Sequence, residues 1–135
     1  MKNRPEGIVL DLPLPPSTNH LFATVGRKRI KTKKYREWIS ECMNECIIQG
    51  KRGQVNSENG YKVMIFPCFK RGRRDIDNTV KPTLDFLEKA GFYENDKEVE
   101  SLNVRRSEPS EESELTDGRM LVVVLPRATT SASCS

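Results

Sequence analysis

The chain has few of the residues that zinc-binding and disulfide-rich proteins use. Histidine occurs once, at His20, and the four cysteines, Cys42, Cys46, Cys68 and Cys134, form no C-x-x-C pair. Structural zinc sites combine cysteine and histidine at close spacing, which this chain does not offer. Free thiols are therefore predicted, with Cys42 and Cys46 acting as small apolar residues on a helix face.

Long apolar runs are also missing. No stretch approaches the roughly 20 residues that a membrane-spanning helix needs, so a soluble protein is expected. The N-terminal segment MKNRPEGIVLDLPLPP has no apolar core long enough for a secretory signal, and prolines interrupt its hydrophobic part. The expected location is the cytoplasm.

The length of 135 residues suits one domain with a modest core. Its net charge of +4 is unevenly spread, because residues 1–93 hold 18 basic against 10 acidic side chains, a net of +8, while residues 94–135 hold 5 against 9. A basic surface of this kind favours nucleic acid as a partner, although a solvated basic face is the simpler alternative.

Alternating apolar residues and turn signals predict six strands. They cover residues 7–14, 21–25, 28–31, 61–69, 99–105 and 119–125. The second and third form a hairpin around Gly26 and Arg27, with a mostly basic return strand that would suit a phosphate backbone. The last strand is apolar at successive positions, so that both of its faces carry apolar side chains and are predicted to be covered.

Two helices are predicted. The first is capped by Thr32 and runs to about Gln49, with Gly50 ending it. Its predicted apolar face carries Tyr35, Trp38, Ile39, Cys42 and Cys46. The aromatic residues on its apolar face suit packing better than base stacking. The second covers about 79–90, with Thr79 as its cap, Pro82 in its first turn and Gly91 after it. The segment 128–135 is predicted to be disordered.

The most informative segment is 75–81, DIDNTVK, which directly follows the basic run KRGRR at 70–74. On an extended backbone Asp75 and Asp77 point to one face with their Cα atoms roughly 7 Å apart, so their oxygens can bind one cation. Asp96 is predicted to be a third ligand, because the chain after the helix is expected to return to the same sheet edge. Lys81 can stabilise the transition state or the leaving oxygen.

Carboxylates beside a basic run suit Mg²⁺-assisted hydrolysis of a phosphodiester. Each residue also has a simpler role: Asp77 as a helix cap, Lys81 as a partner of Asp85, and Asp96 as a turn residue. An EF-hand beginning at Asp75 is excluded, because it would require Gly and Glu where Val80 and Phe86 stand. D-I-D-N-T also matches a phosphatase pattern, but that pattern follows an apolar strand end in a larger chain.

Three segments carry a family resemblance: LPLPPSTNH at 12–20, RRDIDNTVK at 73–81 and LDFLEKAGFYEND at 84–96. Together they resemble the RusA family of Holliday junction resolvases, in the same order and over most of the chain. The family's three active-site aspartates fall on Asp75, Asp77 and Asp96, and its essential lysine on Lys81. Arg74 matches the basic residue before the aspartate pair.

The resemblance implies an α+β fold, a small mixed β-sheet with two main helices packed on it, in a homodimer. It also implies Mg²⁺-dependent paired nicking of four-way DNA junctions in recombination and repair, where Mn²⁺ is expected to substitute. The single nuclease domain would cover residues 1–127, in a bacterial or phage-encoded protein. The predicted DNA-binding residues are Lys70, Arg71, Arg73 and Arg74, together with Arg27, Lys28, Arg29, Lys31, Lys33 and Lys34.

Two other functions fit the same residues. One is a nuclease that acts on replication forks, flaps or RNA. The other is a non-catalytic protein that binds branched DNA, which would show salt-sensitive junction binding without cleavage. Pro82 and the acidic loop at 108–117 have no assigned place in the family pattern.

Overall fold

The computed structural model describes residues 7–16, 21–68, 79–107 and 118–127. Six strands and two helices lie in these ranges. The strands are β1 (Ile8–Pro13), β2 (Phe22–Val25), β3 (Lys28–Lys31), β4 (Tyr61–Cys68), β5 (Val99–Val104) and β6 (Arg119–Pro126). The helices are α1 (Lys33–Gln49) and α2 (Val80–Ala90), and a short 3₁₀ helix covers Asp96–Glu98.

Four strands form one mixed sheet in the order β1-β6-β4-β5, in which only the β4–β5 pair is parallel. Strands β2 and β3 pair with each other as a separate hairpin. The α+β prediction of a small mixed sheet with two helices is confirmed for the described residues. The homodimer, the domain limits 1–127 and the tail 128–135 stay predictions.

The core fills one face of the sheet. Side chains that alternate along β1, β6 and β4 are fully or almost fully buried there, namely Ile8, Leu10, Leu12, Met120, Val122, Val124, Val63 and Ile65. The other face of β6 is covered less completely, because Val123 is 8% exposed while Leu121 and Leu125 are half-buried. The prediction that both faces of this strand are covered holds fully for one face only.

Helix α1 forms as its sequence pattern predicts. The Thr32 hydroxyl accepts a hydrogen bond from the Tyr35 backbone N–H at 3.2 Å, and Gly50 ends the helix with a left-handed φ of 70°. Its buried residues are the predicted ones: Tyr35, Trp38, Ile39, Cys42 and Cys46. The packing role is therefore confirmed, and among the described residues the buried Cys42, Cys46 and Cys68 form no disulfide.

The C-terminal end of α1 is attached to the outer edge of the sheet. The Gln49 side-chain amide accepts from the Asp11 backbone N–H at 3.1 Å and donates to the Asp11 carbonyl at 2.8 Å. It thus uses backbone groups that an edge strand would otherwise present to solvent. Nearer the start of α1, the Trp38 indole N–H donates to the Pro13 carbonyl at 2.9 Å.

Helix α2 begins at Val80 and places Pro82 in its first turn, as predicted. Thr79 stands at the capping position directly before α2, as predicted, but its backbone is helical and its side chain makes no capping hydrogen bond. Gly91 ends the helix with a φ of 87°. In the described part of the chain, neither helix combines the length and apolarity that crossing a membrane requires.

Candidate active site and nucleic-acid interface

The predicted carboxylate pair, Asp75 and Asp77, lies outside the described residues. The same holds for the basic residues of that segment, Lys70, Arg71, Arg73 and Arg74. The structure does place the elements on either side of them, since β4 ends at Cys68 and α2 begins at Val80. Among the predicted active-site residues, Lys81 and Asp96 are therefore the two whose positions are described.

Several strand ends meet where β4 stops. The Gly118 N–H donates to the Cys68 carbonyl at 2.9 Å, and the Leu14 N–H donates to the Gly118 carbonyl at 3.0 Å. The Ser107 N–H donates to the Pro67 carbonyl at 2.8 Å. The ends of β1, β4 and β5 and the start of β6 thus lie together at one end of the sheet.

Lys81 lies in the first turn of α2 with its side chain 71% exposed. Its ammonium pairs with the Asp85 carboxylate at 3.5 Å, the alternative contact that the i,i+4 spacing predicts. Asp85 has a second partner, because the hydroxyl of the fully buried Tyr35 donates to its other oxygen at 3.4 Å. This contact connects α1 to the lysine through one carboxylate.

Asp96 begins the 3₁₀ helix that precedes β5. The expectation that it returns to the sheet edge where β4 ends is wrong. Strand β5 runs parallel to β4 and its first residue, Val99, pairs with Tyr61, the first residue of β4. Asp96 therefore lies toward the opposite end of the sheet, where β4 and β5 begin. The 11 residues of α2, about 16 Å long, separate this region from the start of the helix.

The Asp96 carboxylate is available to a ligand. Its backbone N–H donates to the Glu88 carboxylate at 3.0 Å, and its side chain is half-buried. Within the described ranges that side chain forms no hydrogen bond or ion pair. Asp96 is thus a carboxylate held by its backbone and not neutralised by a described cation.

Tyr93 reports the negative charge along this side of α2. Its hydroxyl donates to the Leu84 carbonyl at 2.8 Å, and its ring is fully buried. Burial raises the pKa of Tyr93, and the charges of Asp96, Glu88 and Asp85 raise it further. Two carboxylates of α2 and one at the start of the 3₁₀ helix therefore act on this one hydroxyl.

A cleft of about 480 Å³ separates α2 from α1 and the hairpin. Its lining combines apolar, acidic and basic residues: Phe22, Tyr35, Ile39, Asp85, Glu88, Glu94, Lys31 and Lys89. Burial raises the pKa of Tyr35, and the neighbouring Asp85 charge adds to the effect, so the hydroxyl keeps its proton at neutral pH.

The hairpin carries most of the described basic residues of the predicted interface. Residues 21–36 contain seven basic and no acidic side chains. Arg29 stacks over the Phe22 ring at 4.3 Å from its centre, and Lys31 lies 5.9 Å from the centre of the Tyr35 ring. No carboxylate of the described residues forms an ion pair with either cation.

The remaining predicted basic residues of this region differ in their contacts. Lys33 pairs with Glu37 at 3.9 Å. This ion pair is weak because both side chains are exposed to water. Arg27, Lys28 and Lys34 are exposed and form no ion pair within the described ranges. Arg27 and Lys28 at the tip of the hairpin, and Lys34 on α1, can therefore bind phosphates.

The described part of the chain does not by itself complete a metal site. Within residues 7–16, 21–68, 79–107 and 118–127, no three histidine, cysteine or acidic side chains are grouped as metal ligands. The oxygen of Asp96 suits Mg²⁺ in kind, and the other two predicted ligands have the same chemistry. The donor set therefore fits this ion.

Sequence reasoning missed the role of Asp85 as a carboxylate shared by Lys81 and Tyr35. Its spacing from Lys81 was visible, but the Tyr35 contact joins residues 50 positions apart, for which no local pattern exists. The cleft between the hairpin and α2 was missed for the same reason.

The chain is similar to known nucleases. A family model described as endodeoxyribonuclease RusA matches residues 13–117. A crossover junction endodeoxyribonuclease RusA from Aquifex aeolicus (strain VF5) is 34% identical over 86 residues. That alignment covers 63% of this chain, and the chain spans 66% of the relative's length.

Proposed function

The chain belongs to the endodeoxyribonuclease RusA family, and from this we propose that it resolves four-way DNA junctions by hydrolysing phosphodiester bonds in two opposed strands. The observation that carries the proposal is the family match over residues 13–117, a range that includes Asp75, Asp77, Lys81 and Asp96. The name of the Aquifex aeolicus relative supports the crossover junction as substrate. An endodeoxyribonuclease is a phosphodiester hydrolase, so membership of this family also gives the enzyme class.

Asp75, Asp77 and Asp96 are the residues proposed to hold Mg²⁺, with Mn²⁺ as a substitute. When bound, the ion would neutralise phosphate charge and lower the pKa of a coordinated water. The availability of the Asp96 carboxylate supports its place in this set. Asp96 itself lies beyond the end of α2 that is far from Lys81.

Lys81 is proposed to stabilise negative charge on the phosphate or on the leaving oxygen. Its ammonium is exposed and its only described partner is the single Asp85 carboxylate, so it can contact a phosphate that approaches the start of α2. Asp85 would limit the directions that the lysine explores, because it is itself held by Tyr35.

The DNA backbone is proposed to contact the basic hairpin. Arg27, Lys28 and Lys34 are exposed and not ion-paired in the described structure, and Arg29, Lys31 and Lys33 extend the same basic surface. The predicted contacts of Lys70, Arg71, Arg73 and Arg74 belong to this proposal as well. Such contacts position a duplex without reading its sequence.

A homodimer is proposed because a junction presents two equivalent strands to be cut. A two-fold axis would place two copies of the site against them. The place of action would be the bacterial cytoplasm, where DNA recombination and repair occur, for a bacterial or a phage-encoded protein.

The test is nicking of a synthetic four-way junction in Mg²⁺. The parent protein should cut it, and Asp75→Asn, Asp77→Asn and Asp96→Asn should each lower the rate by at least about a hundredfold, as expected for loss of a metal ligand. Glu41→Gln is the matched control, because Glu41 is an exposed carboxylate on α1 remote from these residues in the sequence. Full activity in an aspartate variant would remove that residue from the site.

The same assay separates the other functions. Forks, flaps and RNA hairpins that share one arm sequence with the junction should be cut more slowly than the junction. Faster cutting of any of them would reassign the substrate. Salt-sensitive junction binding without cleavage in Mg²⁺ or Mn²⁺ would show a binding protein instead of a nuclease.

A further inference from the structure

The two faces of the β2–β3 hairpin differ in composition. Directly opposite residues of an antiparallel pair point to the same side, and the pairing joins Ala23 to Ile30 and Val25 to Lys28. One side of the hairpin therefore carries Ala23, Val25 and Ile30 beside Lys28. We call these three side chains the apolar face.

The opposite side of the hairpin is attached to the rest of the protein. It carries Phe22, whose ring meets the Tyr35 ring edge-on with 5.6 Å between centres, and Arg29, which stacks on Phe22. The Thr32 N–H donates to the Leu21 carbonyl at 2.9 Å and closes the base of the hairpin. The hairpin is thus fixed through one side, and its apolar face is directed away from that attachment.

The apolar face is open to solvent. Val25 is 59% exposed and Ile30 is 43% exposed, and Ala23, opposite Ile30, is exposed as well. Apolar side chains grouped on the free side of an anchored hairpin are typical of a contact surface. Their setting among basic residues indicates which partner would meet them.

The charge around this face favours DNA over a second copy of the chain. Residues 21–36 hold seven basic and no acidic side chains, so two hairpins packed through their apolar faces would bring like charges together. The same charge attracts a phosphate backbone. Phosphates, however, would engage only the cations and leave Val25 and Ile30 exposed.

Bases offer the apolar partner that phosphates do not. In a continuous duplex each base pair is covered by its neighbours, whereas stacking is interrupted at a branch point. Apolar side chains of DNA-binding proteins insert between base steps and partly unstack them, which costs free energy in a continuous duplex. Where stacking is already interrupted, that cost is smaller. We propose that the apolar face of the hairpin packs against base pairs exposed at a DNA branch point, and that this contact gives the protein its preference for branched over linear DNA.

This inference rests on the proposed DNA-binding function and adds a cause for its selectivity. It divides the hairpin into two roles. The cations bind any duplex, and Val25 and Ile30 contribute only where base pairs are uncovered. Salt weakens the first contribution strongly and the second little.

The test compares the affinities for a four-way junction and for a linear duplex of the same arm sequence, measured in EDTA to prevent cutting. The double variant Val25→Thr/Ile30→Thr removes apolar surface and keeps β-branched residues that suit a strand. Its junction Kd should rise by about tenfold, and its duplex Kd by less than about twofold. The parent's preference should persist as salt is raised from about 50 to 200 mM.

The matched control is Ile47→Thr/Ile48→Thr, which alters two exposed isoleucines of α1 that are 74% and 78% exposed. It should leave both Kd values unchanged. The single variant Ile30→Thr should have part of the effect of the double variant, and circular dichroism should show that all variants keep the parent's secondary structure.

Three outcomes would overturn the inference. The double variant could keep the full junction preference, or it could lose junction and duplex affinity equally. It could instead change the oligomeric mass in analytical ultracentrifugation, which would assign the face to a second copy. If the parent cuts and prefers junctions in these cases, the proposed function stands and only the inference fails; a parent that does not bind DNA refutes both.

Discussion

Replacing Asp85 by asparagine tests how Lys81 is held. The change removes the charge that faces the ammonium at 3.5 Å, while the new amide oxygen can still accept from the Tyr35 hydroxyl. The Lys81 and Asp85 side chains are 71% and 30% exposed, so their pair contributes at most about 1 kcal/mol to the free energy of unfolding. Asp85→Asn should therefore fold normally and unfold at nearly the same urea concentration.

The effect on cleavage should be larger than the effect on stability. A lysine that is no longer held near its position spends less time against the phosphate, and small misplacements in an active site are costly. We expect the single-turnover cleavage rate of the junction to fall by roughly tenfold, with junction Kd changed less than about twofold. Quench-flow cleavage and fluorescence anisotropy measure the two quantities separately.

Two comparison variants sharpen this prediction. Glu100→Gln breaks the exposed 3.8 Å pair with Arg127, which lies outside the proposed site, and should leave the cleavage rate unchanged. Tyr35→Phe removes the second contact of Asp85 and should lower the rate less than Asp85→Asn does. An unchanged or faster rate in Asp85→Asn would refute the idea that Asp85 holds Lys81 for the reaction.

Three further predictions concern the fold. Gln49→Ala loses both hydrogen bonds to the β1 backbone and should lower the free energy of unfolding by about 1–2 kcal/mol, measured in urea, while the exposed neighbour Ile48→Ala should have little effect. Burial raises the pKa of Cys46 to about 11, so native protein at pH 8 should be alkylated at this thiol much more slowly than protein in urea; equal rates would contradict its burial. The pKa values of Tyr35 and Tyr93 are raised in the folded state, so their contribution to stability is complete below about pH 10 and is lost as pH rises above it; urea unfolding at pH 8 and pH 11 should show the loss.

Local patterns were sufficient to predict the elements of this fold. The five buried residues of α1 follow from helical spacing, and Gly50 and Gly91 end the two helices in the left-handed conformation that the sequence predicts. The hairpin register was also available, because a two-residue turn at Gly26 and Arg27 determines which residues face each other. The apolar face was nonetheless missed, since the basic residues of β3 dominated the interpretation.

Relations between distant segments were not available from the sequence. Alternation along β5 is the same whether the strand runs parallel or antiparallel to β4, so the position of Asp96 at the start of a parallel strand was not predicted. The contacts of Gln49 with β1 and of Tyr35 with Asp85 join segments that are 38 and 50 residues apart. They depend on how the helices pack against the sheet and have no local signal.

The most direct test of the central claim uses a supercoiled plasmid that extrudes a cruciform, incubated with the protein and Mg²⁺. Paired cutting of two opposed strands at the four-way junction should convert the plasmid directly to the linear form, and Asp75→Asn should leave it supercoiled. Sequencing should place both ends at the cruciform. Accumulation of nicked circles without linear product, or no cutting by a parent protein that binds the junction, would contradict the proposed function.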